Sequence, residues 1–136
     1  MEQTTITEVE GMQIKFGAAP EQWERAKDEM REVLNAVARR RETISYTDLV
    51  RQVRAMRLEP HDYAVAHLLG EISAADHEEG RGMRSAMVVS IEENSPGSGF
   101  FALAESLGED VADPMRFWVQ QLEKVYTDWS SVMPTG

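Results

Sequence analysis

The sequence predicts a helix-rich α+β domain with a short sheet and an additional amphipathic helix towards its C-terminal end. Three observations predict it. Apolar residues recur at three- and four-residue spacing in several stretches, each bounded by proline, glycine or a capping residue. Two short β-branched runs, Thr43-Ile44-Ser45 and Met87-Val88-Val89, interrupt those stretches. A length of 136 residues with 42% apolar composition suffices for one domain with its own core.

The elements follow in order. Residues 1–19 form a lead in which Ile6, Val9, Met12, Ile14 and Phe16 alternate loosely, as in one strand. Pro20 opens a first helix, and Trp23, Ala26, Met30, Val33, Leu34 and Val37 form its stripe to about Arg41. Thr43 to Ser45 is a short strand. Ser45 with Asp48 three positions on is a capping-box variant, starting a second helix over Tyr46 to Ala55 with Leu49, Val50 and Val53 inward. Pro60 breaks the chain. Asp62 then caps a third helix whose inner stripe is Val65, Leu68, Leu69 and Ile72, and Gly80 and Gly82 end it. Met83 to Ile91 is expected to be a buried strand, and Glu92 to Gly99 a loop of turn residues. A short helix follows over Phe100 to Leu107. Asp113 caps and Pro114 opens the last helix, with the stripe Met115, Trp118, Leu122, Val125, Tyr126 and Trp129.

Helix, strand, helix, helix, strand and glycine-containing loop is the order of a winged helix, with Glu92 to Gly99 in the place of the wing. Residues 20–101 are therefore read as a winged-helix-like core and residues 102–130 as added C-terminal helices. A complete wing needs a returning strand, for which Phe100-Phe101 leaves at most a stub.

Charge and composition bound the function. There is no cysteine, so disulfides, thiolate nucleophiles and cysteine-bound zinc are excluded. The longest uncharged apolar run, Ser85 to Ile91, is far too short to span a bilayer, and no secretion signal is evident; a cytoplasmic protein with no membrane partner is expected. The net charge of −10 disfavours nucleic acid as a general partner. The charge is segregated, however. Arg39, Arg40, Arg41, Arg51, Arg54 and Arg57 face only Glu42 and Asp48 within their span, whereas residues 58–79 and 92–113 carry acids and no Lys or Arg.

Two resemblances attach to particular residues. His67-Leu-Leu-Gly-Glu-Ile-Ser, Gly80-Arg-Gly-Met, Met87-Val-Val, Pro96-Gly-Ser-Gly-Phe-Phe and Phe117-Trp resemble a family of small uncharacterised bacterial proteins, which implies no activity. Ile44-Ser-Tyr-Thr-Asp-Leu, Met87-Val-Val and Gly97-Ser-Gly-Phe resemble the DNA-binding domain of alkylguanine-DNA alkyltransferases over roughly residues 43–101. That resemblance implies a winged-helix fold and no alkyl transfer. Where those enzymes carry their cysteine and histidine, this chain reads Arg84-Ser85-Ala86-Met87.

Candidate sites follow from these patterns. The six arginines could grip phosphate or an acidic partner; Arg51 and Arg54 lie opposite the apolar face of their helix and are expected to be exposed. The third helix, which enters the groove in DNA-binding relatives of this architecture, is acidic, and the bland reading is a set of helix-end arginines balanced by the acidic body. His67 and Glu71 share a helix face, with His77 and Glu78 further along, and such a set could hold a divalent metal for hydrolysis. It lacks the two-histidine spacing of known helical metal sites, and a solvated acidic face is the plainer reading. Trp118, Tyr126 and Trp129 are expected to be core, and to become a partner or dimer surface where the domain leaves them uncovered. No serine sits in a Gly-x-Ser-x-Gly setting. The expectation is thus a non-enzymatic module that binds a protein partner or a second copy without a cofactor. DNA-binding regulation is the alternative, and metal-dependent hydrolysis the more distant one.

Overall fold

A computed structural model of the protein describes residues 16–130; the expected N-terminal strand, within Thr4 to Phe16, lies outside them except for Phe16, which stands in a turn. The elements are α1 (Pro20–Arg39), β1 (Ile44–Ser45), α2 (Tyr46–Arg51), α3 (Tyr63–Glu78), a 3-10 turn (Arg84–Met87), β2 (Val88–Val89), α4 (Ser98–Ser106) and α5 (Pro114–Trp129). The fold is helix-rich α+β. β1 and β2 pair in parallel, Ile44 against Val88 and Ser45 against Val89, and no further strand joins them among the described residues.

α1 buries Trp23, Ala26, Met30, Leu34 and Val37, close to the expected stripe. It stops at Arg39 because Arg41 takes a left-handed conformation (φ 55°). The Glu42 amide then bonds to the Val37 carbonyl at 3.2 Å and the Arg41 amide to that of Ala38 at 3.0 Å. These two bonds form a Schellman ending with arginine where glycine is usual.

α2 is shorter than the expected 46–55 span. The Glu29 carboxylate accepts the amides of Arg54 (2.7 Å) and Ala55 (3.0 Å), and Gln22 donates to the Ala55 carbonyl at 2.9 Å. Side chains of α1 thus take the backbone groups a longer α2 would have used, while Val53 and Met56 remain buried. Ser45 does cap α2, accepting the Asp48 amide at 3.0 Å. Asp62 occupies the N-cap of α3, but its carboxylate turns back to accept the Glu59 amide at 2.8 Å.

The expected strand over Met83 to Ile91 is buried from Met83 to Val89, yet only Val88–Val89 is extended. Its first half is the 3-10 turn, packed against α3, α1 and α5. α5 supplies the bonds a sheet would have given it. Asp128 accepts the Gly82 amide (2.8 Å), Gln121 accepts the Met83 amide (3.0 Å), and the indoles of Trp129 and Trp118 donate to the carbonyls of Gly82 (2.9 Å) and Ala86 (2.8 Å). Buried backbone is thereby satisfied without a ladder. Gly82 is required there, since a Cβ would lie 2.5 Å from the Val125 amide nitrogen.

α4 starts two residues before the expected Phe100, at Ser98. α5 starts at Pro114 with Asp113 accepting the Arg116 amide at 3.2 Å. Its buried face is turned from the expected stripe. Phe117, Gln121, Val125 and Trp129 are inside, Trp118, Leu122 and Tyr126 pack half-buried beside them, and Met115 is 57% exposed. The core runs from Ala18 to Trp129 through every helix except its outer face. Among the described residues no helix is long and apolar enough to cross a membrane.

Candidate functional site

Of the three C-terminal aromatics, Trp129 is buried, while Trp118 and Tyr126 are half-buried and tied to the fold by hydrogen bonds. Trp129 is 6% exposed and lies under Arg84, whose guanidinium carbon is 3.7 Å from the ring centroid; Arg81 stacks on the same ring at 4.7 Å. The Trp118 indole is spent on Ala86, and the Tyr126 hydroxyl donates to the Glu42 carbonyl at 2.8 Å. Burial raises the pKa of that phenol, against the opposing pull of Arg41. Trp129 is therefore not available as a partner surface. The exposed apolar residues of α5 are instead Met115 and Val119.

Arg84, which charge counting along the chain does not single out, is the centre of the buried polar network. Its Nη2 is 2.8 Å from Asp76 Oδ1 and its Nε 3.1 Å from Oδ2, while its own amide also bonds Oδ2 at 2.9 Å. Nη1 donates to Asn35 at 2.9 Å. Both ions are almost fully buried, and each of the three guanidinium nitrogens makes a hydrogen bond. A lone arginine beside an apolar run, eight residues after an aspartate near the end of a helix, was the available signal.

The six arginines of the 39–57 stretch are all exposed, but they do not converge on one patch of free charge. Arg40 pairs with Glu42 at 3.0 Å and Arg51 with Asp48 at 3.3 Å. Arg41 lies 5.9 Å over the Tyr126 ring. Arg39, Arg40 and Arg41 stand at the end of α1, whereas the backbone of Arg54 lies beside Glu29, near the middle of α1. The span between them is about 15 Å, from ten residues of helical rise.

The residues considered for a metal are likewise dispersed. Glu71 accepts from the Trp23 indole (2.9 Å) and from Lys27 (2.8 Å). Burial lowers the Lys27 pKa, but its hydrogen bonds to Glu71 and Glu24 outweigh that, leaving the ammonium above the ordinary lysine value. His67 packs against the Phe16 ring, with centroids 5.0 Å apart. His77 pairs with Glu109 at 3.0 Å, and Glu78 faces solvent. No group of three metal-ligating side chains forms among the described residues.

A predominantly apolar concave feature lies along α3. With Val65, Leu68, Leu69 and Ile72 turned inward, the residues left outward are Ala66, Gly70 and Ala74, whose small side chains leave a channel along the helix. Phe100 and Leu103 of α4 form one wall and Tyr46 of α2 closes the far side, giving a groove of about 450 Å³. Gly70 and Gly99 have open space where a Cβ would stand. The polar groups on its margin are held from within. The Tyr46 hydroxyl accepts the Gly97 amide at 3.4 Å, and the Ser85 hydroxyl, on the floor, accepts from Ser73 at 2.6 Å. The sequence signal was the i, i+4 repeat of small residues on the side of α3 away from its apolar stripe.

No protein-family model matches the chain, and neither a curated protein nor a solved structure matches it.

Proposed function

We propose that the protein is a non-enzymatic, winged-helix-like interaction module of the cytoplasm that receives an apolar segment of a protein partner in the α3–α4 groove. The observation that carries this reading is the groove itself, a concave and predominantly apolar channel on a helix whose inner face is already packed. Its polar margin is pre-organised by Tyr46–Gly97 and Ser73–Ser85, so binding costs little reordering. In this reading α4, which follows the Glu92–Gly97 loop in the chain, takes the place of the returning strand of a wing.

The test is affinity capture from the host with the native chain and with Ala74→Trp, which fills the groove, followed by reconstitution of any captured protein in purified form. A partner whose binding falls at least tenfold with Ala74→Trp, and survives Met115→Glu on the outer face of α5, supports the reading. Equal binding by both variants removes it.

A second reading, DNA binding, is favoured by the exposure of Arg54 and Arg57, whose side chains carry no ion pair among those described. Duplex binding that weakens steeply between about 50 and 200 mM salt and is lost in Arg54→Glu would support it. Absence of binding at the lower salt would dismiss it.

A further inference from the structure

We propose that the segment received by the groove is a basic amphipathic helix, apolar on the face that enters and carrying Lys or Arg in the turn that lies over the Ala74 end. This rests on the reading of the groove as the binding surface and adds the chemistry of the partner. Side chains of α3, α4 and Tyr46 bound the groove, and no strand contributes an edge to it. Between Ala66 and Ala74 the backbone of α3 is spent within the helix. An extended segment would therefore bury amide and carbonyl groups there without partners, whereas a helix satisfies its own. The channel from Ala66 to Ala74 follows about 12 Å of helical rise. Apolar residues at i, i+4 and i+7 of a docked helix span about 10 Å and fill that length from one face.

Charge selects what flanks those apolar residues. α3 and α4 lie within residues 58–79 and 92–113, which hold no Lys or Arg, and none lines the groove. At the His67 end the charge of Glu71 is met by Lys27 at 2.8 Å. The Ala74 end is different. Glu78, one turn further along α3, is exposed and forms no ion pair among the described residues. Glu109 is held at the same end by the His77 ring at 3.0 Å, and Glu79 and Asp110 follow in the chain, both exposed. The C-terminal end of the α3 dipole adds to this negative field. A cation on the docked helix thus meets uncompensated charge at one end of the groove, which fixes the direction in which the helix lies. The net charge of −10 attracts such a segment and repels an acidic one.

The test is selection against the full-length protein from a displayed library of peptides about 16 residues long, enough to form a helix. Leucine is fixed at i, i+4 and i+7, the other positions are random, and only sequences lost on Ala74→Trp are kept. These are expected to carry Lys or Arg about tenfold more often than Asp or Glu in one of the two flanking turns. A companion library with leucine at alternate positions, the pattern of a strand, is expected to yield none. Groove-dependent binders without that charge preference, or from the companion library alone, overturn this inference and leave the proposed function standing. No groove-dependent binder from either library removes both.

The position of the basic turn is read with the strongest such peptide, made synthetically. Glu78→Lys, a change that suits a helix C-terminus, is expected to weaken its binding about tenfold at about 50 mM salt, with a smaller loss at about 500 mM. Glu123→Lys, exposed on α5, makes the same change in net charge and is expected to bind within about twofold of the native chain. Equal losses in the two variants would reduce the effect to net charge and overturn the assignment.

Discussion

Arg84 and Asp76 form a two-point ion pair sealed inside the protein, at 5% and 1% exposure, on which the 3-10 turn, α3 and α1 all converge. The pair fixes the position of the Gly82–Val89 segment and, through Ser85, the floor of the groove. Buried ions are costly to desolvate, and good pair geometry with additional hydrogen bonds is what offsets that cost. Here Asp76 supplies the two-point geometry, Asn35 a further hydrogen bond and the Trp129 ring a stacking face.

Breaking one side of that pair leaves the other charge buried and alone. Asp76→Ala or Arg84→Ala is expected to lower unfolding free energy by about 3–5 kcal/mol in urea titrations. The double variant Asp76→Leu/Arg84→Met is expected to lose less than the sum of the single changes, because no uncompensated ion remains. Full additivity would show that the two residues do not act as a pair.

Gly82→Ala probes the approach of the segment to α5. The added Cβ would meet backbone atoms of Lys124 and Val125 at 2.5–2.8 Å, which cannot move as a side chain tip can. A loss of about 1–3 kcal/mol is expected from the forced shift, read as a lower urea midpoint. Gly70→Ala, with open space at its Cβ, is expected to leave stability unchanged or raise it slightly.

Ser45→Ala removes the one side-chain cap of α2. A loss of about 1 kcal/mol is expected in the same titration. A value near zero would show that the parallel pairing of Ile44 and Val88 holds the start of α2 without it.

Lys27 gives the protein an alkaline limb. Its folded pKa is raised, so the stability it contributes is present in full below the unfolded value of 10.5 and is lost as pH rises through the folded value. Native protein is expected to lose stability more steeply than Lys27→Met above about pH 10.5 in thermal melts. Parallel curves would show that the Glu71 and Glu24 bonds contribute nothing to Lys27 in the folded state.

Much of the architecture was legible in the chain because local and tertiary signals agree. Pro20, the α1 stripe, the Ser45 cap, the α3 stripe and Pro114 all mark elements that form where expected. The differences arise where polar side chains reach across the fold. Glu29 and Gln22 end α2 early, a reach of some 25 to 33 residues that no local pattern carries. Gln121 is buried because Met83 needs its carbonyl, so a stripe drawn from apolar residues alone places the inner face of α5 wrongly and turns Met115 inward. Met83 to Met87 reads as a strand by composition, yet α5 satisfies its backbone and lets it coil. The groove went unseen for a simpler reason: alanine and glycine carry no chemistry, and only the fold shows that Ala66, Gly70 and Ala74 line a channel with Phe100 and Leu103.

The most direct test of the account is amide hydrogen exchange on the full-length protein, alone and saturated with the partner that groove-dependent capture identifies. The account predicts that the partner changes exchange in residues 66–74 of α3 and 98–106 of α4, with Arg51 to Arg57 and the outer face of α5 unchanged. Protection confined to Arg51–Arg57, or to the Met115–Val119 face, with α3 unaltered, would contradict it and move recognition to that surface.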